Sequence, residues 1–223
     1  KIYCFGNRPY TGTNKLASNF MYCQTETELL GNFVEFFRRC SFDIVTGWNV
    51  IGFDIQYIIN RCKILGIEKS LSPINSIYQD PKDGDKITIG GLNLLDYCDI
   101  YKKFVKTPMS SYSLNNVCLH EIGEGKLDLE GAINETYKTD WNAFVDYNIN
   151  DVELVHKLDK KRKLLQLCVT LGYQALIPFE KTLTTIPLVE GYMLKAMHKK
   201  NMVMNNRVEH EGVEYDGGYC FAK

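Results

Sequence analysis

Residues 46–57 read TGWNVIGFDIQY, with Asn49 and Asp54 on either side of a short bend that contains Gly52. Before the bend, DIVTG at residues 43–47 is a β-branched run that predicts a strand. Beyond it, Ile55, Ile58, Ile59, Cys62 and Leu65 recur at helical spacing, and Gly66 is placed to end that helix. A strand, a tight turn and an amphipathic helix in succession make a unit of an α/β protein. Asp54, at the helix start, has two readings. It caps the helix, since Asp is a preferred cap residue, with Asn49 serving the preceding turn. Alternatively, it projects a carboxylate from the strand end toward a metal ion.

Working outward, KIYCFG at residues 1–6 predicts a strand, and a turn-rich stretch follows it. Thr25-Glu26-Thr27-Glu28 has the form of a capping box, opening a helix through Leu29, Leu30, Phe33, Phe36 and Phe37 to about Cys40. Residues 76–90 predict a hairpin around a Pro-Lys-Asp-Gly turn, followed by a strand over LLDYCDI. Helices then dominate. Ser111 or Ser113 caps one through Leu114 and Val117. A long one is expected from about Asp140 toward Leu171, stopping at Gly172, and Thr185 with Pro187 opens a last one. Interleaved strands and covering helices imply an α/β fold built on a mixed sheet, with a mainly helical layer from about residue 164.

The 223 residues are 45% apolar, enough for a sizeable core, and carry 26 basic against 27 acidic side chains. With charge so balanced, the whole-molecule field gives no case for a polyanionic partner. The eight cysteines form no CxxC pair and have no His at zinc-ligand spacing, as expected of thiols in a reducing compartment. The longest uncharged run, Leu164–Phe179, is 16 residues, too short and interrupted for a bilayer span, so a cytoplasmic location is expected. Lys1 is not a natural start, and the chain is expected to be a piece of something longer.

Two further stretches carry chemistry. Tyr147 and Asp151 lie one turn apart on one side of the long helix, beside an apolar arc of Trp141, Phe144, Val152 and Val155. Such a pair reads either as a solvated rim or as a partnered site, and an Asp inside a helix has mediocre propensity without a partner. In Gly123-Glu124-Gly125-Lys126, the glycines let backbone approach a ligand and Lys126 offers a point charge for phosphate, although surface loops of this kind are common.

Order and spacing together carry more than any single motif. TGWNVIGFDIQYIINR, LLDYCDIYKKF, SYSLNNVCLHEIGEGKLDL, YNINDVELVHKLDKKR and EYDGGY, in that order, resemble successive segments of family B DNA polymerases, most nearly those of T-even-like phages. The resemblance runs from about Ser41 to the C-terminus, with Asn49–Asp54 similar to the family's second exonuclease motif and Tyr147–Asp151 to its third. It implies a 3′-to-5′ proofreading exonuclease with a ribonuclease H-like (DnaQ-like) fold and two divalent ions, Mg²⁺ or Mn²⁺, held by carboxylates. Carried over by position, Asp54 and Asp151 are metal ligands, Tyr147 orients the attacking water, Lys126 lies near the scissile phosphate, and Asn49 and Phe53 support the site. The hairpin matches a loop that separates primer from template, and Tyr215, Gly217 and Gly218 match the DNA-binding junction with the polymerase.

The resemblance also implies what is missing. The first exonuclease motif, an Asp-x-Glu on an opening strand, is expected before Lys1, because Asp128-Leu129-Glu130 and Asp151-Val152-Glu153 fall in the wrong order. The polymerase palm is expected after the last residue. The implied division is a partial exonuclease domain at 1–163, a helical segment at 164–206 that packs on an amino-terminal domain, and the junction at 207–223. The implied partners are a single-stranded DNA 3′ end, primer-template, the rest of the polymerase chain and a sliding clamp. The alternative is a non-catalytic DNA-binding or scaffolding fragment, or a split subunit completed by a partner chain.

Overall fold

A computed structural model describes residues 1–68, 70–79, 87–129 and 131–204. Its strands are short. β1 (Cys4–Gly6) pairs in parallel with β2 (Phe20–Tyr22), and β3 (Ile44–Gly47) in parallel with β6 (Asn93–Asp96), Gly47 standing opposite Asp96. β4 (Ile77–Gln79) pairs antiparallel with β5 (Ile87–Ile89), so the expected hairpin forms, while its turn at 80–86 lies outside the described residues. Among the described residues the strands make three two-stranded ladders rather than one continuous sheet. The helices are α1 (Glu26–Cys40), α2 (Gln56–Ile64), α3 (Tyr97–Phe104), α4 (Leu114–Ile122), α5 (Ile133–Thr139), α6 (Trp141–Arg162), α7 (Leu164–Ala175) and α8 (Thr185–His198).

The β3–β6 ladder divides the interior. Side chains alternate across a strand, and on β6 Leu94 enters one core while Leu95 enters another. The first core joins Val34 and Phe37 of α1 to Ile59 and Cys62 of α2 and Ile89 of β5. The second joins Tyr97 and Tyr101 of α3, Val117 of α4, Leu154 and Leu158 of α6, and Cys168 of α7. A smaller cluster sets Ala17 against Val145 and Ile149 on α6. The result is a mixed α/β architecture with helices on both faces of a parallel pair.

Several expected elements shift. LLDYCDI is strand only to Asp96, because the Asp96 carboxylate accepts from Cys98 N at 3.0 Å and starts α3. The long helix breaks at Lys163, which takes φ 54°, and the Leu165 amide donates to Asp159 Oδ1 at 3.1 Å. The chain then stays helical past Gly172 to Ala175. On α6 the buried arc is Val145, Ile149, Leu154 and Leu158, whereas Val152 is exposed. α5 and β2 were not expected. Among the described residues no helix is long and apolar enough to cross a membrane, and the seven cysteines found there are free.

At α1, Thr25 Oγ1 accepts from Glu28 N at 3.1 Å, and Glu28 Oε2 accepts from Gln24 N at 2.7 Å. The box therefore closes one residue earlier than its usual form, on Gln24 instead of Thr25. Thr25→Ala is expected to cost about 1 kcal/mol of stability, read from urea unfolding.

Candidate active site

The bend after β3 is built by a buried carboxylate. Asp96 is 4% exposed, and its Oδ1 accepts from Asn49 N at 3.0 Å while Oδ2 accepts from Ile51 N at 3.3 Å. Asn49 takes the left-handed conformation, φ 60°, which Asn tolerates better than most residues. The chain then enters a π-helical turn, Ile51–Ile55, in which Ile55 N donates to Val50 O at 2.9 Å. α2 follows directly.

Asp54 lies inside that turn. The position that caps it is Val50, which makes no side-chain capping bond, so the capping reading of Asp54 does not hold. Its carboxyl pKa is raised, first by the surrounding protein atoms and then by the negative charge of Asp96. Asn49 is the hinge of the bend, and its Oδ1 would stand 3.0 Å from a Cβ placed on Gly52. Phe53 is 65% exposed and stacks on Tyr57 at 6.4 Å, so its ring takes no part in the core beneath the bend.

Across the cleft, α6 presents Tyr147 and Asp151. Lys126 Nζ donates to Asp151 Oδ2 at 2.6 Å and to Tyr147 OH at 3.1 Å. Burial alone would lower the lysine pKa, but these two hydrogen bonds outweigh it, and the ammonium is held above its usual value. The other oxygen, Asp151 Oδ1, is buried without a hydrogen-bond partner. An unpaired buried carboxylate oxygen is costly and marks a position that a cation would satisfy.

The Lys126 loop is tied down on both sides. Lys126 N donates to Asn115 Oδ1 at 2.8 Å, Glu124 pairs with Lys157 at 2.6 Å, and Asn150 Nδ2 donates to Gly125 O at 3.4 Å. The glycines serve local packing. Gly123 takes φ 71° as the C-cap of α4, and a Cβ on Gly125 would meet Asn115 Oδ1 at 2.6 Å and Leu119 at 3.1 Å. Gly125→Ala is expected to push Asn115 off the Lys126 amide and cost about 1 kcal/mol in thermal unfolding.

Asp54, Lys126 and Asp151 line one cleft of about 510 Å³, with an apolar wall that includes Trp48, Leu114, Val152 and Leu165. Tyr147 joins through its contact with Lys126. Among the described residues no three His, Cys, Asp or Glu side chains come together as a metal-binding group. Tyr215, Gly217 and Gly218 lie outside the described residues. Sequence reading missed Asp96. Its only visible signal was an Asp at a strand end, and the amides it holds come from 45 and 47 residues upstream.

The family model for the exonuclease domain of DNA polymerase family B matches residues 5–117, reaching well upstream of Ser41. Curated relatives include the DNA-directed DNA polymerases of Enterobacteria phage T4 and Escherichia phage RB69, each 32% identical, over 91% and 90% of the chain. The DNA polymerase delta catalytic subunit of Candida albicans is 25% identical over 93% of the chain. The chain spans only 23% of either phage polymerase and 22% of the Candida protein. With a strand–bend–helix unit that carries Asp54, a matched stretch of half its length and phage relatives along nearly all of it, the chain belongs to the exonuclease-domain family of family B DNA polymerases.

Proposed function

We propose that this chain is most of the proofreading 3′-to-5′ exonuclease region of a phage-type family B DNA polymerase, hydrolysing the terminal phosphodiester of DNA on a ribonuclease H-like fold. The observation that carries the reading is the meeting of Asp54, Lys126 and Asp151 in one cleft, with one Asp151 oxygen buried and unpartnered.

The donor chemistry fits a hard divalent cation. Mg²⁺ and Mn²⁺ prefer carboxylate oxygen, and Asp54 and Asp151 are the two residues that would hold it. When bound, the metal supplies a more acidic water and charge stabilisation at the leaving 3′ oxygen. In this reading the remaining carboxylates come from an Asp-x-Glu strand of the parent polymerase. Lys126 holds Asp151 in place and, as a fixed cation, attracts the scissile phosphate. Because Tyr147 OH accepts from Lys126, its own proton is free to donate to a water and orient it. The apolar wall and the exposed Phe53–Tyr57 pair offer stacking surface for a few frayed nucleotides. Preference for mispaired ends then follows from easier fraying rather than from base reading.

The partners in this reading are a single-stranded 3′ end or primer-template, the rest of the polymerase and a sliding clamp, in the cytoplasm of a bacterial host. Residues 1–163 form the exonuclease part, 164–206 a helical segment and 207–223 the junction. One observation favours a second reading, a non-catalytic DNA-binding fragment or a subunit completed by a partner: although His156 and Asp159 also line the cleft, no three His, Cys, Asp or Glu side chains among the described residues come together as a metal-binding group. A Mn²⁺-dependent single-stranded DNA degradation assay separates the two. It compares the chain with a version extended through an upstream Asp-x-Glu strand, with Asp54→Asn as the control. Activity in the extended version that the control loses supports the exonuclease, and inactivity of both well-folded proteins supports the binding fragment.

A further inference from the structure

We propose that Asp96 is the positioning residue for Asp54, pinning the bend that delivers this carboxylate to the cleft; the inference rests on reading Asp54 as a metal ligand. The argument begins with what the cap of α3 requires. A single acceptor for the Cys98 amide is enough to start that helix, and Asn or Ser would provide it. Asp96 instead gathers three amides. Oδ1 accepts from Cys98 N and Asn49 N, each at 3.0 Å, and Oδ2 accepts from Ile51 N at 3.3 Å. Only a carboxylate has acceptor capacity on both atoms.

The two additional amides belong to the residues that shape the bend. Asn49 is the left-handed hinge, and Ile51 opens the π-helical turn, where its N–H would otherwise be one of the unsatisfied donors of a helix start. The register supplies the leverage. Asp96 stands directly opposite Gly47, the last residue of β3, so its side chain reaches the amides that follow as the partner strand ends. The π-helical turn includes one residue more per hydrogen bond than an α-helical turn and so alters the direction in which the following side chains leave the axis. Asp54 lies within that turn and reaches the cleft that Asp151 lines from α6. A buried carboxylate against three amides therefore spends its burial on the geometry of a neighbouring acid, as ligand-supporting groups do in metal sites.

Asp96→Asn is the discriminating variant. Its amide oxygen can keep Asn49 and Cys98, so the α3 cap survives, but its NH₂ group faces the Ile51 N–H, donor against donor. Two readouts on the whole chain test the proposal. Amide hydrogen exchange across residues 49–55 is expected to quicken in the variant while exchange in α3 stays as in the parent. Mn²⁺ affinity, measured by electron paramagnetic resonance well below the unfolding temperature and without DNA, is expected to fall about tenfold. If Asp96→Asn does not fold, Asp96→Ser replaces it, because a serine hydroxyl still caps α3 and reaches neither bend amide. Asp54→Asn is measured alongside. Mn²⁺ binding unchanged in Asp54→Asn overturns the ligand reading of Asp54 and the positioning role with it. Binding lost in Asp54→Asn but kept in the Asp96 variant, or unchanged exchange at 49–55, overturns the positioning role alone.

Discussion

Asp54→Asn, placed in a version of the chain that hydrolyses DNA, is expected to lower the rate at least about a thousandfold and to raise the unfolding temperature at pH 7. The loss follows from the proposed chemistry: removing a ligand that supports a cation worth several kcal/mol to the transition state costs roughly three powers of ten. The gain follows from the structure. Asp54 caps nothing, and its carboxyl pKa is raised by surrounding protein atoms and by Asp96, so the fold disfavours its ionised form. For an acid whose folded pKa lies above its unfolded value of about 3.9, the penalty is complete above the folded pKa. It fades as pH falls through that value and is absent below the unfolded one. The stabilisation by Asn is therefore present at neutral pH and vanishes near pH 3.5, which thermal scans at the two pH values measure. Asp151→Asn should share the loss of activity without the gain. Its Oδ2 holds the Lys126 ammonium, and a neutral amide there leaves that half-buried charge short of its partner. Equal effects on hydrolysis and different effects on stability at these two positions would be hard to explain as general damage to the fold.

How much of this was legible beforehand depends on what held each part in place. Helices whose start signals lie within a few residues, such as the Thr25 and Ser113 caps, were readable because sequence neighbours make them. The convergence of Asp54, Lys126 and Asp151 in one cleft was readable through motif order, since the resemblance assigned all three to one site, which no local pattern does. The π-helical turn, the break at Lys163 and the role of Asp96 were not. Each is decided by a carboxylate meeting amides or hydroxyls from another element, as where Asp159 takes both Leu165 N and the Tyr97 hydroxyl. The uncharged run from Leu164 gave no sign of that junction. Gly125 shows the converse case: its glycine was visible, but the atom it makes room for, Asn115 Oδ1, belongs to the preceding helix and not to a ligand.

Glu121→Ala is expected to produce the largest loss of stability, about 3 kcal/mol or more, or roughly 10 °C in the unfolding temperature of a chain of this length. Glu121 is 3% exposed near the end of α4, and three groups converge on its carboxylate. Arg162 binds it through Nε at 2.7 Å and through Nη2, the Tyr101 hydroxyl donates at 2.7 Å, and Lys161 lies 3.7 Å away. Burial alone would raise the glutamate pKa, but hydrogen bonds from Arg162 and Tyr101 outweigh it and the net shift is downward. Truncation leaves the Tyr101 hydroxyl, on a fully buried ring, with only the weak acceptor Met109 Sδ at 3.5 Å. Arg162 can turn partly toward water, which keeps the cost toward the lower end of the range for broken buried pairs. Glu121→Gln retains an acceptor for Tyr101 and should lose about half as much. A depressed carboxylate pKa contributes stability that is complete above the unfolded value of about 4.3 and is lost as pH falls through the folded value. The gap between the parent and Glu121→Gln should therefore be widest near neutral pH and close in strong acid. This network clamps the C-terminal end of α6, the helix that carries Tyr147 and Asp151, to α3 and α4. Measured well below its own unfolding temperature, Glu121→Ala should still hydrolyse DNA within a few-fold of the active parent, because Asp151 is held locally by Lys126. A collapse of activity in folded protein would instead mean that the clamp at the helix end sets the position of Asp151 nearly three turns away.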